Sequence, residues 1–226
     1  MTVSIYCVSA TGIINLPLGN SEHAELIAII DTKQWITELK RRVQHYGYKY
    51  DYKSRDIDQN HYLGQIPDWL HDICEKLRTE GIVAHYPDQV IINEYTPGQG
   101  ISAHIDCVPC FGNTICSLSL GSRCVMDFTK NTFKKSILLE PRSLLTLQND
   151  ARYLWKHSIP ARKSDRTASA NLVRDRRISL TFRSLETVRL EMIEDMEDTE
   201  LALYRLKNPQ KMWTQEELEA ELELEN

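Results

Sequence analysis

The 226-residue chain lacks any run of about 20 apolar residues, so no segment is suited to cross a bilayer as a helix. Its start, MTVSIYCVSATG, lacks both a basic lead-in and a long apolar stretch, which argues against a secretory leader. No internal repeat recurs, which excludes a solenoid. Cysteines number six at irregular spacing, with none beyond Cys124. That usage predicts reduced thiols and a cytoplasmic or nuclear protein. Cys107 and Cys110 have metal-like spacing, but Cys116 and Cys124 fall within strand patterns, where cysteine usually serves as a small buried hydrophobe.

The chain has little net charge, −5, but it is unevenly placed. From Glu186 to Asn226 there are thirteen acidic and four basic residues, a net of −9; the preceding 185 residues carry nineteen and twenty-three, a net of +4. A mildly basic body suits an anionic partner, although an ordinary surface reads the same way. The acidic end keeps the protein soluble or offers a surface to a partner.

The organisation predicts a domain over residues 1–185 and an acidic helical extension or tail over 186–226. SEHAELIAIIDTKQWITELKRR has helical apolar spacing through Leu26, Ile29 and Ile30, with a separate helical turn around Trp35 and Leu39. In VQHYGYKYDYKSR, Tyr46, Tyr48, Tyr50 and Tyr52 alternate and would share one side of an extended segment. IPDWLHDICEKLRTEG reads as a helix with Pro67 near its start and Gly81 past its end. From residue 89 the period falls to two: QVIINEY, ISAHIDC, TICSLSLG, CVMDFT, KKSILLE, SLLTLQ and RRISLTFR read as short strands. The fold class is therefore α+β, mainly β, with helices packed on one sheet of a sandwich or barrel. Such a closed core needs no second copy, so a monomer is expected.

Within ISAHIDC, His104 and Asp106 alternate, so on a strand their side chains face one way, about 6.6 Å apart along it. A third ligand, His157 in LWKHSIP, would complete the two-histidine, one-carboxylate facial triad of a non-haem Fe(II) oxygenase, with positions open to a co-substrate and O₂. The bland alternative is a polar pair on a strand rim. In RRISLTFR, Arg177, Ser179, Thr181 and Arg183 share one face opposite Ile178, Leu180 and Phe182. Asn93 and Tyr95 likewise share a face, opposite Ile92 and Glu94. A small dicarboxylate fits such a lining, one end on the metal and the other on an arginine; a solvated strand face paired with acids is the other reading.

The segments NEYTPGQGISAHID, TICSLSLGSRCVMDF, RYLWKHSIPARKSD and RRISLTFR, in this order, resemble the AlkB family of Fe(II)- and 2-oxoglutarate-dependent dioxygenases. The resemblance runs from about residue 12 to 184. It implies a double-stranded β-helix, or jelly-roll, core. Within the family, KRRVQHYGYKYDY and YLWKHSIPARK look most like the branch whose oxygenase domain hydroxylates the wobble uridine of tRNA. The chain departs from that branch in lacking the later cysteines that help bind a structural zinc there.

The resemblance implies roles. His104, Asp106 and His157 would be the metal ligands and hence catalytic. Asn93, Tyr95 and Arg177 would contact 2-oxoglutarate, with Arg177 on its distal carboxylate, and Arg183 would lie near the co-substrate and the target base. Residues 43–60 would form part of a nucleotide lid, with Tyr46, Tyr48 and Tyr50 as stacking candidates for an extruded base. The cofactors would be Fe(II), 2-oxoglutarate and O₂, and the reaction would hydroxylate a C–H bond. An N-methyl carbon is then lost as formaldehyde; any other carbon keeps the hydroxyl. The expected substrate is a modified or alkylated base in nucleic acid, tRNA before the rest, with a separate methyltransferase or another protein as a partner of the acidic end. Repair of N-methylated DNA or RNA, protein hydroxylation or demethylation, and a non-catalytic binding protein of the same fold are the alternatives.

Overall fold

The structure, a computed structural model, describes residues 11–15, 18–37, 39–51, 57, 59–167 and 170–186. The helices expected after residue 186, and part of the expected lid including Tyr52, lie outside the described residues. In chain order the elements are β1 (Thr11–Asn15), α1 (Asn20–Asp31), β2 (Val43–Tyr46), α2 (Asp68–Thr79), β3 (Gln89–Tyr95) and β4 (Ile101–His104). There follow β5 (Phe111–Gly121), β6 (Cys124–Lys130), β7 (Phe133–Leu139), β8 (Ser143–Leu147) and α3 (Asn149–Tyr153). The last are β9 (Lys156–Ile159), β10 (Ser164–Arg166), β11 (Asn171–Val173) and β12 (Arg177–Leu185).

The strands form a six-stranded sheet of order β1-β8-β5-β12-β3-β2 and a four-stranded sheet of order β4-β9-β6-β7, with β10-β11 a separate hairpin. Every pairing between named strands is antiparallel. The mainly β architecture is consistent with a jelly roll.

Alternation along the central strands sorts residues between two faces of the larger sheet. Val90 and Ile92 of β3, Cys116, Leu118 and Leu120 of β5, and Ile178, Leu180 and Phe182 of β12 join one core cluster with the helices. From α2 that cluster receives Leu70, Ile73, Cys74 and Leu77, the i, i+3, i+4, i+7 stripe of an amphipathic helix. Each fully buried Leu or Phe there contributes roughly 1.5–3 kcal/mol of burial free energy. Pro67 caps α2, Asp68 opens it, and Lys76 and Arg78 close it, in accord with the helix dipole. Glu94 also faces the helix layer, where it accepts from Arg42 and Arg176; Arg176 reaches on to Asp31 at the end of α1. The intervening residues of β3, β5 and β12 face the other way.

Three expectations are corrected. The turn around Trp35 and Leu39 is not helical: Ile36 and Val43 exchange backbone hydrogen bonds of 2.8 and 2.9 Å, an extended pairing, and Leu39 lines a cavity. The tyrosine alternation stops at Tyr46, because Gly47 follows with φ +76°, pressed so close to Asp88 that a Cβ would lie 1.9 Å from its carbonyl oxygen. Not all thiols are reduced: Cys107 and Cys110, with Cα atoms 5.3 Å apart across a tight turn, form a disulfide, while Cys74, Cys116 and Cys124 are free and buried. Among the described residues no helix is long and apolar enough to cross a membrane.

Candidate active site

The inward face of the larger sheet and the β4-β9 edge of the smaller one enclose a cavity of about 830 Å³, within the usual range for a small-molecule site. Its walls mix apolar side chains such as Ile115, Met126, Leu145 and Leu147 with the polar residues singled out from the sequence.

His104 and His157 are cross-strand partners in the β4-β9 register, and their rings lie 4.3 Å apart between centroids. Asp106 does not share their strand. β4 ends at His104, and Asp106 follows two residues later, ahead of the turn at 108–110, with its Oδ1 3.6 Å from His104 Nε2. One ligand atom from each of the three residues falls within 4.8 Å of the others. His104 Nδ1 lies 2.8 Å from the Ser102 carbonyl oxygen; a carbonyl only accepts, so Nδ1 donates there and Nε2 is the ring atom turned towards Asp106. Burial pushes the His157 imidazole down to about 4, so it stays neutral, and its buried Nδ1 meets no protein partner among the described residues. Burial would raise the Asp106 carboxyl, but Arg183 and the two imidazoles outweigh it and hold the group well below the usual carboxylate range. Two imidazoles and one ionised carboxylate on one small volume are the donor set for a divalent first-row metal, and the residues fit Fe(II).

Arg177 is 3% exposed. Its Nη2 donates to Ser119 Oγ at 2.8 Å, while Nε and Nη1 are buried and meet no acceptor among the described residues. A buried guanidinium without a counter-charge is costly, so this one is built for an anion that the protein itself does not supply. Tyr95, whose ring lies 5.5 Å from the Arg177 guanidinium, and Asn93 line the same cavity. Arg41 Nε takes the Asn93 side-chain oxygen at 2.8 Å, which leaves the Asn93 NH₂ group to serve an acceptor. These residues fit the distal carboxylate of 2-oxoglutarate. Arg183 stands between: Nη2 is 3.2 Å from Asp106 Oδ1, Nη1 donates to Gln89 Oε1 at 3.0 Å, and the plane lies 4.6 Å over Phe111.

The three stacking candidates separate. Tyr46 packs edge-on to Trp69 at 5.3 Å and belongs to the helix layer, and Tyr48 packs on Tyr62 at 5.0 Å. Tyr50 alone of the three lines the cavity, 5.9 Å from the Phe111 ring. Arg41 and Arg152 lie in KRRVQHYGYKYDY and RYLWKHSIPARKSD, segments that carry the resemblance, but no spacing marks either as a site residue; Phe111 lies outside those segments. Phe111 opens β5 just before the stretch recognised as a strand, so a longer strand would have pointed to it.

The family described as the 2OG-Fe(II) oxygenase superfamily matches residues 27–183, which include every site residue named above. An Arabidopsis thaliana protein named an alkylated DNA repair protein ALKBH8 homolog is 35% identical over 190 residues, 73% of this chain and 55% of that protein. The Mus musculus tRNA (carboxymethyluridine(34)-5-O)-methyltransferase ALKBH8 is 46% identical over 127 residues, 55% of this chain and 19% of that protein. The chain thus spans about half the length of the plant relative and a fifth of the mouse one. Among solved structures, OsALKBH1 superposes with a TM-score of 0.58 at 19% identity, over 79% of this chain and 98% of that one, which supports the fold.

Proposed function

This chain belongs to the 2OG-Fe(II) oxygenase superfamily, and from that premise we propose that it oxidises a modified or alkylated base in nucleic acid, with tRNA as the first substrate to test. It is a dioxygenase that uses Fe(II), 2-oxoglutarate and O₂. When bound, these supply the oxidation: 2-oxoglutarate becomes succinate and CO₂, and one oxygen atom of O₂ enters a substrate C–H bond.

The observation that carries the reading is Arg177, a buried guanidinium short of acceptors in the same cavity as the His104, Asp106 and His157 cluster. His104, Asp106 and His157 would hold the iron. Arg177 would grip the distal carboxylate of 2-oxoglutarate, and Asn93 and Tyr95 would orient the co-substrate beside it. Arg183 keeps Asp106 ionised and fixed. Tyr50, next to Phe111, offers an aromatic surface against which an unpaired base can stack. The names of the mouse and plant relatives favour nucleic acid over protein, and the mouse one favours tRNA. The plant relative's name favours a second reading, removal of N-methyl groups from damaged bases.

Incubation with iron, ascorbate and 2-oxoglutarate, first with total tRNA and then with oligonucleotides bearing N1-methyladenine or N3-methylcytosine, separates these readings by nucleoside mass spectrometry. A gain of one oxygen on a tRNA nucleoside supports the hydroxylase. Loss of methyl from the oligonucleotides supports the demethylase. If no nucleoside changes mass while the protein still converts 2-oxoglutarate in the presence of another polymer, the nucleic-acid assignment fails.

A further inference from the structure

We propose that Arg152 is a positioning residue that sets the Asp106 carboxylate in place for the metal. The proposal rests on the reading of Asp106 as a metal ligand. Asp106 lies beyond the end of β4, so no ladder of strand hydrogen bonds holds it. What holds it comes from elsewhere. Arg152 is 2% exposed, and its guanidinium donates to four backbone carbonyls on either side of the turn at 108–110: Asp106 at 3.0 Å and Cys107 at 3.0 Å before it, Phe111 at 2.9 Å and Gly112 at 3.1 Å at the start of β5. Four of its five N–H bonds thereby clamp the two ends of the turn that follows Asp106. All four acceptors are backbone carbonyls, so the hydrogen bonds of this buried guanidinium fix a backbone path.

The placement of Arg152 in the chain matters as much as its bonds. It sits on α3, which leads directly into β9 and His157. One side chain therefore ties the segment of one ligand to the loop of another. His104 is already fixed to His157 by the strand register. Arg152 supplies the missing side of that triangle. Arg183 works from a different direction, on the carboxylate oxygen itself. The Cys107–Cys110 bond closes the same turn but sets no distance between it and β9.

Only a planar fork can reach four carbonyls at once; an ammonium group at the same place keeps the charge and loses the geometry. The discriminating variant is therefore Arg152→Lys, with Arg174→Lys as control, since Arg174 is also buried but bonds to Asp165 and Pro160. Mn(II) binding to the metal-free protein, followed by calorimetry and by the Mn(II) electron paramagnetic resonance spectrum, reads the site without turnover. Urea unfolding reads the fold. The expected result is a folded R152K with Mn(II) affinity weakened about 10–100-fold and an altered spectrum, and an R174K whose Mn(II) affinity is unchanged at a comparable loss of stability. A folded R152K that binds Mn(II) as the parent does overturns the proposal, and so does an equal weakening in both variants. If R152K does not fold, the parent protein with ¹⁵N-labelled arginine carries the test. The Arg152 Nε–H signal should move on Zn(II) addition while that of Arg174 stays, and a still Arg152 signal overturns the proposal. His104→Ala separates the two levels: if it leaves Mn(II) binding intact, the metal reading itself has failed.

Discussion

Arg177 is the residue whose surroundings make least sense without a ligand. Replacing it with Met removes a buried charge that the protein does not balance, and the apolar chain fills similar space. The metal-free protein should therefore keep its stability or gain about 1–4 kcal/mol, measured by urea unfolding. The KM for 2-oxoglutarate should rise about 30-fold or more, since truncating one partner of a buried charge pair costs roughly 2–5 kcal/mol. A second prediction concerns acid. Burial pushes both His157 and His45 down to about 4 from an ordinary 6.5. Between those values the unfolded chain takes up protons that the folded one refuses, so stability is complete above about pH 6.5 and is lost as the pH falls towards 4. Each histidine should cost about 2 kcal/mol between pH 7.5 and 5, which unfolding of the metal-free protein at the two pH values will show. At this scale the sequence was legible where chemistry is unusual: H-x-D, a distant histidine and two arginines on one strand face. The strand reading of H-x-D covers only half of it, because β4 ends at His104 and Asp106 lies two residues beyond. Arg152 opens RYLWKHSIPARKSD, but its role was not legible, since one arginine in a five-residue helix has no period to betray its burial.

At the scale of elements, the closest approach in the site is at Gly100, where an added Cβ would lie 2.1 Å from the Ile159 carbonyl oxygen. Gly100 precedes β4 and Ile159 ends β9, the two strands that pair His104 with His157. Gly100→Ala should push these strands apart, at about 1–3 kcal/mol of stability, and weaken Mn(II) binding as well. Leu77→Ala, in the helix layer on the opposite face of the large sheet, should cost about 2–5 kcal/mol yet leave Mn(II) affinity unchanged in the folded fraction. Comparing the two variants tests whether the sheet separates support from chemistry. α2 and the long strands were readable because each repeats its pattern over several turns or pleats. β9, with the sequence KHSI, was not, because four residues of mixed polarity carry no alternation that stands out. The tyrosine run misled for the opposite reason: its alternation was regular, but Gly47 turns the chain after Tyr46.

For the molecule as a whole, metal and co-substrate should stabilise without being needed for folding, since the helix–sheet core contains none of the ligands. Mn(II) at about 100 times its Kd should add about 2.7 kcal/mol, seen as a rise in Tm that a chelator reverses and that H104A/D106A abolishes. The packing of helices on one sheet of a mainly β core was legible from helices followed by short strands. The strand order was not, because pairing between distant segments leaves no mark on local spacing. That order has one consequence for how the protein is made. β12 is the last strand of the large sheet in the chain, yet it lies in the middle of it, between β5 and β3. A chain emerging from the ribosome can bring His104, Asp106 and His157 into being while the sheet still has a slot with two bare edges. When Arg177–Leu185 enters that slot it pairs with both β5 and β3 and brings both arginines to the cavity. Newborn chains are thus most open to aggregation and to chaperones just before the strand that completes their chemistry arrives.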